Sequence, residues 1–164
     1  MHPNRIEPGP GQESVWDYPR PPRVEPVPER VRVVVEGIDL ASSSHALRVL
    51  ETAGAPVYYV PAADVRGDLL RPTERTTTCE WKGQARYWSI VTPTGRVIPN
   101  AGWSYETPSP GFAAITGYVT FYPARLACSI DGEPVRPQEG GFYGGWITSD
   151  VVGPFKGGPG TWGW

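Results

Sequence analysis

At 164 residues the chain is long enough for one domain with a real core and marginal for two. Apolar residues make up 39% and charged residues 20%, a globular balance, and a net charge of −2 with scattered Lys and Arg gives no basic face for nucleic acid. No apolar run approaches the about 18 residues of a membrane span, and residues 1–8 hold no apolar leader, so the expected compartment is the cytoplasm.

Twenty Pro and twenty Gly, without a collagen-like period, point to short strands, tight turns and stiff irregular ends. Residues 1–29 carry Pro at 3, 8, 10, 19, 21, 22, 26 and 28, which removes backbone donors and predicts an extended or irregular arm. Trp16 and Tyr18 are the side chains expected to pin that arm onto the body.

From Arg30 the pattern alternates. Val31, Val33 and Val35 read as the core face of a strand, Gly37 as a turn, and Ile38 to Ala41 as its hairpin partner. Ser42-Ser43-Ser44 offers N-caps for a short helix over His45 to Thr52, with Ala46, Leu47 and Leu50 on one face and Gly54 as its stop. Val57 to Val60 reads as a strand, and Asp64 to Leu70 as a helical turn ended by Pro72. Thr76 to Trp81 and Ala85 to Val91 form two strands around Lys82-Gly83, and Trp103 to Tyr105 reads as another. Pro110 to Ile115 suits a single turn. Tyr118 to Tyr122 and Leu126 to Ile130 are strands, and Asp131-Gly132 is the strongest hairpin turn in the chain. The expected body is mainly β and antiparallel, over residues 30–136, with one short helix. After it, residues 137–164 form a Gly/Pro-rich tail whose rings (Phe142, Tyr143, Trp146, Phe155, Trp162, Trp164) suit packing on the body rather than disorder.

Cys79 and Cys128 stand far apart, with no Cys-x-x-Cys pair and only His2 and His45 elsewhere, so no zinc site is expected. A disulfide is allowed by count but disfavoured in a reducing compartment; two buried free thiols are the expectation.

The candidate chemistry centres on Thr76 to Val91. Lys82, between Trp81 and Gly83, is either a lysine set among rings, which strips hydration from an ammonium and eases its deprotonation, or a fixed cation for a carboxylate or phosphate. A surface lysine by a turn is the plain alternative. Alternation puts Thr78, Glu80 and Lys82 on one face and Cys79 and Trp81 on the other. Glu51, in the last turn of the expected helix, opposes the helix dipole and calls for a partner among Arg30, Arg32 and Lys82, as a site residue or as half of a structural ion pair. Cys79 is a nucleophile only with a stabilised thiolate, and no histidine lies near in sequence. His45 reads as a solvated or capping residue. Tyr87, Trp88, Trp103 and Tyr105 either line a cleft or are plain core. Gly140-Gly141 and Gly144-Gly145 lack the spacing and the Lys-Ser/Thr of a phosphate loop.

Glu51-Thr52, Pro56, Tyr58-Tyr59-Val60-Pro61, Asp64-Val65, Cys79-Glu80-Trp81-Lys82-Gly83, Ala85, Tyr87-Trp88-Ser89, Trp103-Ser104-Tyr105 and Phe121-Tyr122-Pro123 together resemble domain-of-unknown-function family 427 (DUF427), over about Arg30 to Val135. That family also carries a nucleotidyltransferase-like label. The resemblance implies a small β-tent-like fold, akin to methionine sulfoxide reductase B and the thalidomide-binding domain of cereblon, and an aromatic cleft on the tent face. Many β-tent relatives bind zinc through paired Cys-x-x-Cys motifs, which this chain lacks. It departs from the family pattern at Ser42, where Asp precedes Ser, at His45, often Arg, and at Glu80, often Pro. No Asp-x-Asp carboxylate pair, which a nucleotidyltransferase needs for metal ions, is present.

Two functions follow as expectations. One is binding of a small polar or anionic molecule in a cleft lined by Tyr87, Trp88, Trp103 and Tyr105, with Lys82 and Glu51 as polar anchors and no cofactor or metal. The other is an enzyme using Lys82, Glu51 or, less readily, Cys79 for acid–base or covalent chemistry. No nucleic-acid or membrane partner is expected, and exposed strand edges leave a homodimer open.

Overall fold

The computed structural model describes residues 2–164; of the N-terminal arm, Met1 lies outside the described residues. The chain is built from strands β1 (Glu13–Ser14), β2 (Arg23–Val27), β3 (Val31–Val35), β4 (Ile38–Ser43), β5 (Ala46–Leu50), β6 (Val57–Tyr59), β7 (Leu70–Cys79), β8 (Gly83–Val91), β9 (Val97–Ser104), β10 (Val119–Phe121), β11 (Ala127–Ile130), β12 (Glu133–Pro134), β13 (Arg136–Pro137), β14 (Trp146–Ile147) and β15 (Val151–Val152). Three antiparallel sheets carry the fold, ordered β12-β11-β3-β4, β10-β9-β8-β7 and β2-β5-β6. Two short ribbons, β1-β15 and β13-β14, attach the ends of the chain. The mainly β, antiparallel expectation holds.

The hairpins follow local chemistry. Glu36 and Gly37 both take positive φ (49° and 74°) between paired Val35 and Ile38, and Asp131 and Gly132 do the same (46° and 83°) between Ile130 and Glu133. Two successive left-handed residues match the strand twist, which is why Asp-Gly is so strong a turn signal. Val31, Val33 and Val35 are buried as the alternation requires, while Arg32 faces out and binds Asp39 at 2.6 Å. Between Val33 and Val34 the register against β4 slips by one residue, so that consecutive Leu40 and Ala41 both reach the core.

The predicted helix over His45 to Thr52 is not there. Among the described residues the only helical segments are short 3₁₀ turns, and Ala46–Leu50 is strand β5, the middle of its sheet. Ser43 does not cap a helix: its hydroxyl donates to Asp64 Oδ2 at 2.6 Å and accepts from His45 N at 3.0 Å. The Leu-Arg-Val-Leu segment satisfies both periods, and pairing to β2 on one side and β6 on the other decides for the strand. The predicted turn over Asp64 to Leu70 appears as two 3₁₀ turns, Ala62–Asp64 and Gly67–Leu69; Pro110–Ile115 forms another, as does Val15–Asp17 in the arm.

β8 is buried on both faces. Trp88 and Ile90 pack into the main core with Val33, Leu40, Phe121 and Trp146. Ala85 and Tyr87 look the other way, into a second cluster with Val49, Tyr59, Trp103, Tyr105 and Tyr122. A third cluster of Val15, Tyr18, Leu50, Ala55, Ile147 and Val151 fastens the two termini to the body. Trp16 also pins the arm, its indole N–H donating to Pro154 O at 2.7 Å. Within the arm, β2 is a true sheet strand, and Arg48 of β5 ties it down by ion pairs to Glu25 and to Glu13 (2.8 Å). Both thiols are free; Cys128 is buried and Cys79 half-buried.

Candidate functional site

A cavity of about 340 Å³ opens on the second cluster, within the size range of small-molecule sites. Its walls come from β5 with the turn after it, β6, the β7–β8 hairpin, the end of β9, Tyr122 just past β10, and the C-terminal tail. Of the residues singled out from sequence, Lys82, Glu51, Cys79, Tyr87, Trp103 and Tyr105 all line it. Trp88 does not. It follows Tyr87 directly on a strand, so its indole falls on the opposite face, where Nε1 donates to Ser104 Oγ at 2.9 Å and Arg86 covers the ring. His45 is exposed and away from the cavity.

The β7–β8 hairpin closes through three residues, Glu80-Trp81-Lys82, between paired Cys79 and Gly83. Strand alternation therefore stops at Cys79, earlier than the sequence suggests, and the loop folds Lys82 back over it. Lys82 Nζ lies 3.2 Å from Cys79 Sγ, so the two groups expected on opposite faces are in contact. Ser109 N donates to Lys82 O at 2.9 Å and holds the loop, and Gly83 takes φ +105°, a conformation that suits glycine. Lys82 is only 9% exposed, lies 5.9 Å from the Tyr105 ring centroid, and forms no ion pair among the described residues.

Glu51 sits in the tight turn after β5, closed by Gly54 N to Glu51 O at 3.2 Å, so no helix dipole acts on it. Its expected arginine partners are engaged elsewhere, Arg32 with Asp39 and Arg30 with Ser42 Oγ. The turn is clamped from both ends of the chain: Ala53 N donates to Val15 O at 3.1 Å, and Lys156 N to Ala53 O at 2.9 Å.

The tyrosines supply neutral hydroxyls. Burial pushes the phenols of Tyr59, Tyr105 and Tyr122 well up, and for Tyr122 the adjacent Tyr87 adds to the effect. At neutral pH they are therefore hydrogen-bond donors, not charges. Tyr87 OH pairs with Thr77 Oγ1 at 3.1 Å, and the Arg75 guanidinium lies 4.8 Å from its ring centroid.

The tail contributes a wall that sequence reasoning missed: Gln138, Tyr143, Gly144, Gly145 and Lys156. Gln138 is buried, its Oε1 accepting from Ala55 N (2.9 Å) and its Nε2 donating to Lys156 O (2.8 Å). Lys156 Nζ stands 5.3 Å from the Tyr143 ring centroid. A Cβ on Gly144 would overlap the Trp103 indole, and one on Gly145 the Gln138 amide, so only glycines let this segment lie down on the body. The Gly-Gly pair was visible in the sequence; only its target was not.

Among the described residues no three His, Cys, Asp or Glu side chains come together as a metal would need, and no helix is long and apolar enough to cross a membrane. The cavity thus offers two ammonium groups, the carboxylates of half-buried Glu51 and exposed Glu80, a thiol and several phenols, a set suited to binding a charged small molecule or to acid–base and nucleophilic work. No curated protein matches the chain. The profile of the family described as a domain of unknown function (DUF427) matches residues 23–132, more than half of the sequence, and the chain belongs to that family.

Proposed function

We propose that this chain binds a small anionic molecule in the aromatic cavity. The observation that carries the reading is Lys82: an ammonium nine-tenths buried, facing an open cavity, with no carboxylate paired to it. Burying a cation without a counter-charge is costly, and an anion entering the cavity would offset that cost. Lys156 adds a second positive group, the phenols of Tyr105 and Tyr122 add donors, and Trp103 offers a flat apolar surface for the ligand body. Glu51 would accept from a hydroxyl or amine on the same ligand.

A thermal-shift screen of a metabolite library on wild type and Lys82→Ala tests this. Anionic compounds at about a hundred times their Kd should raise Tm by roughly 5–10 °C in wild type, with most of that shift lost in Lys82→Ala. Hits that are neutral or cationic, or that shift both proteins equally, would refute the reading.

A further inference from the structure

We propose that Cys79 is the nucleophile of this cavity and that Lys82 aims it at small carboxylates whose adjacent carbon is electrophilic. The inference rests on the anion-binding reading above and adds a reaction to it. Three observations carry it. Lys82 Nζ lies 3.2 Å from Cys79 Sγ, close enough for the ammonium to stabilise negative charge on sulfur without a histidine. Cys79 lines the cavity and is partly exposed to it, so an electrophile bound there can reach the sulfur. Lys82 is nine-tenths buried and has no carboxylate of its own, so it is free to hold the substrate's carboxylate beside the thiolate.

Only Cys79 has this setting. Cys128 is sealed in the main core, where burial alone pushes its thiol up to about 12. In the step itself the Cys79 proton passes to solvent and the sulfur pair attacks the carbon next to the carboxylate. The S–C bond forms as the bond to the leaving group breaks, and that group departs with its electron pair. Lys82 stays protonated throughout, paired first with the thiolate and then with the carboxylate. One cation thus serves both the nucleophile and the recognition of its target.

Iodoacetate and iodoacetamide share a reactive carbon and differ in the carboxylate, so together they test the pairing. Alkylation is followed by intact-mass and peptide mass spectrometry, each rate divided by that of glutathione with the same reagent. In wild type Cys79 should favour iodoacetate by about tenfold on this scale, the effect of one well-placed ammonium–carboxylate contact. The preference should fall to about one in Lys82→Met and persist in Lys82→Arg, with folding of each checked by circular dichroism, and Cys128 should stay unmodified in all three. A Cys79 that reacts with neither reagent, in a protein whose thermal shifts with anions are intact, overturns the nucleophile and leaves the binding reading standing. A Cys79 that reacts with both reagents without preference overturns the pairing with Lys82, and absence of anion-induced shifts in that same protein overturns the binding reading as well.

Discussion

Gly144 lies flat against the indole of Trp103, so close that a single Cβ would overlap its Cη2. Tail and body are held apart by no more than the thickness of a bare backbone, and one wall of the cavity depends on that contact. Gly144→Ala should lower stability by about 1–3 kcal/mol, or several degrees in Tm, because Trp103 is packed on Tyr122 (4.5 Å between centroids) and cannot yield. Gly141→Ala, where a Cβ would meet open space, should stay within about 0.5 kcal/mol. Thermal denaturation of the pair checks the expectation, and equal effects would show that the tail does not press on Trp103.

Gln138 bridges the turn after β5 to the segment carrying Lys156. In Gln138→Met the shape is kept, but Ala55 N loses its partner in a buried setting and Lys156 O loses its partner in a half-buried one. Each orphaned backbone group costs about 1–3 kcal/mol. The loss should appear first as faster amide exchange at Ala55 and through residues 153–157, before any global unfolding. Unchanged exchange at Ala55 would show that water replaces the amide at no cost.

Trp146 is fully buried in the main core beside Tyr58, and its indole donates to Phe121 O at 3.1 Å, yet it stands outside the family-matched segment. Trp146→Ala should cost about 3–5 kcal/mol, a large share of a typical domain's stability. For the same reason a chain ending at residue 136 should fail to fold cooperatively, since it loses Trp146, Ile147 and Val151 at once. Urea denaturation of the two variants checks both statements; a cooperative transition of normal midpoint in the shortened chain would contradict them.

Alkaline pH should destabilise the fold in two stages. Cys128 has its thiol raised from 9.0 to about 12 by burial, and Tyr59, Tyr105 and Tyr122 are raised above 10.0, again chiefly by burial. In each case the folded chain keeps a proton that the unfolded chain releases, so the stabilisation is complete below the unfolded pKa and declines as pH rises above it. Stability should hold to about pH 9, fall by up to about 1.4 kcal/mol per pH unit from Cys128, and fall more steeply once the phenols join above about pH 10. Cys128→Ala should remove the first stage and leave the second, as read from urea midpoints between pH 8 and 11.

The parts legible in the sequence are those fixed within a few residues. Val31, Val33 and Val35 alternate into the core, and Glu36-Gly37 and Asp131-Gly132 turn the chain, because pleat and left-handed turn chemistry are local. The same alternation puts Tyr87 and Trp88 on opposite faces, so the expectation that both line the cleft fails for Trp88. Lys82, Glu51, Cys79, Tyr87, Trp103 and Tyr105 were recognisable as site candidates because polar groups among rings are conspicuous. What only the tertiary structure decided depends on partners far along the chain. Residues 46–50 are strand rather than helix because β2 and β6 flank them, and Cys79 meets Lys82 because the hairpin closes in three residues. The tail's Gly144 and Lys156 enter the cavity because Trp103 and Ala53 receive them. A sequence states which groups are present and how each short segment bends; which of two satisfied periodicities wins, and which distant backbone can approach a ring, is settled only when all the surfaces pack together.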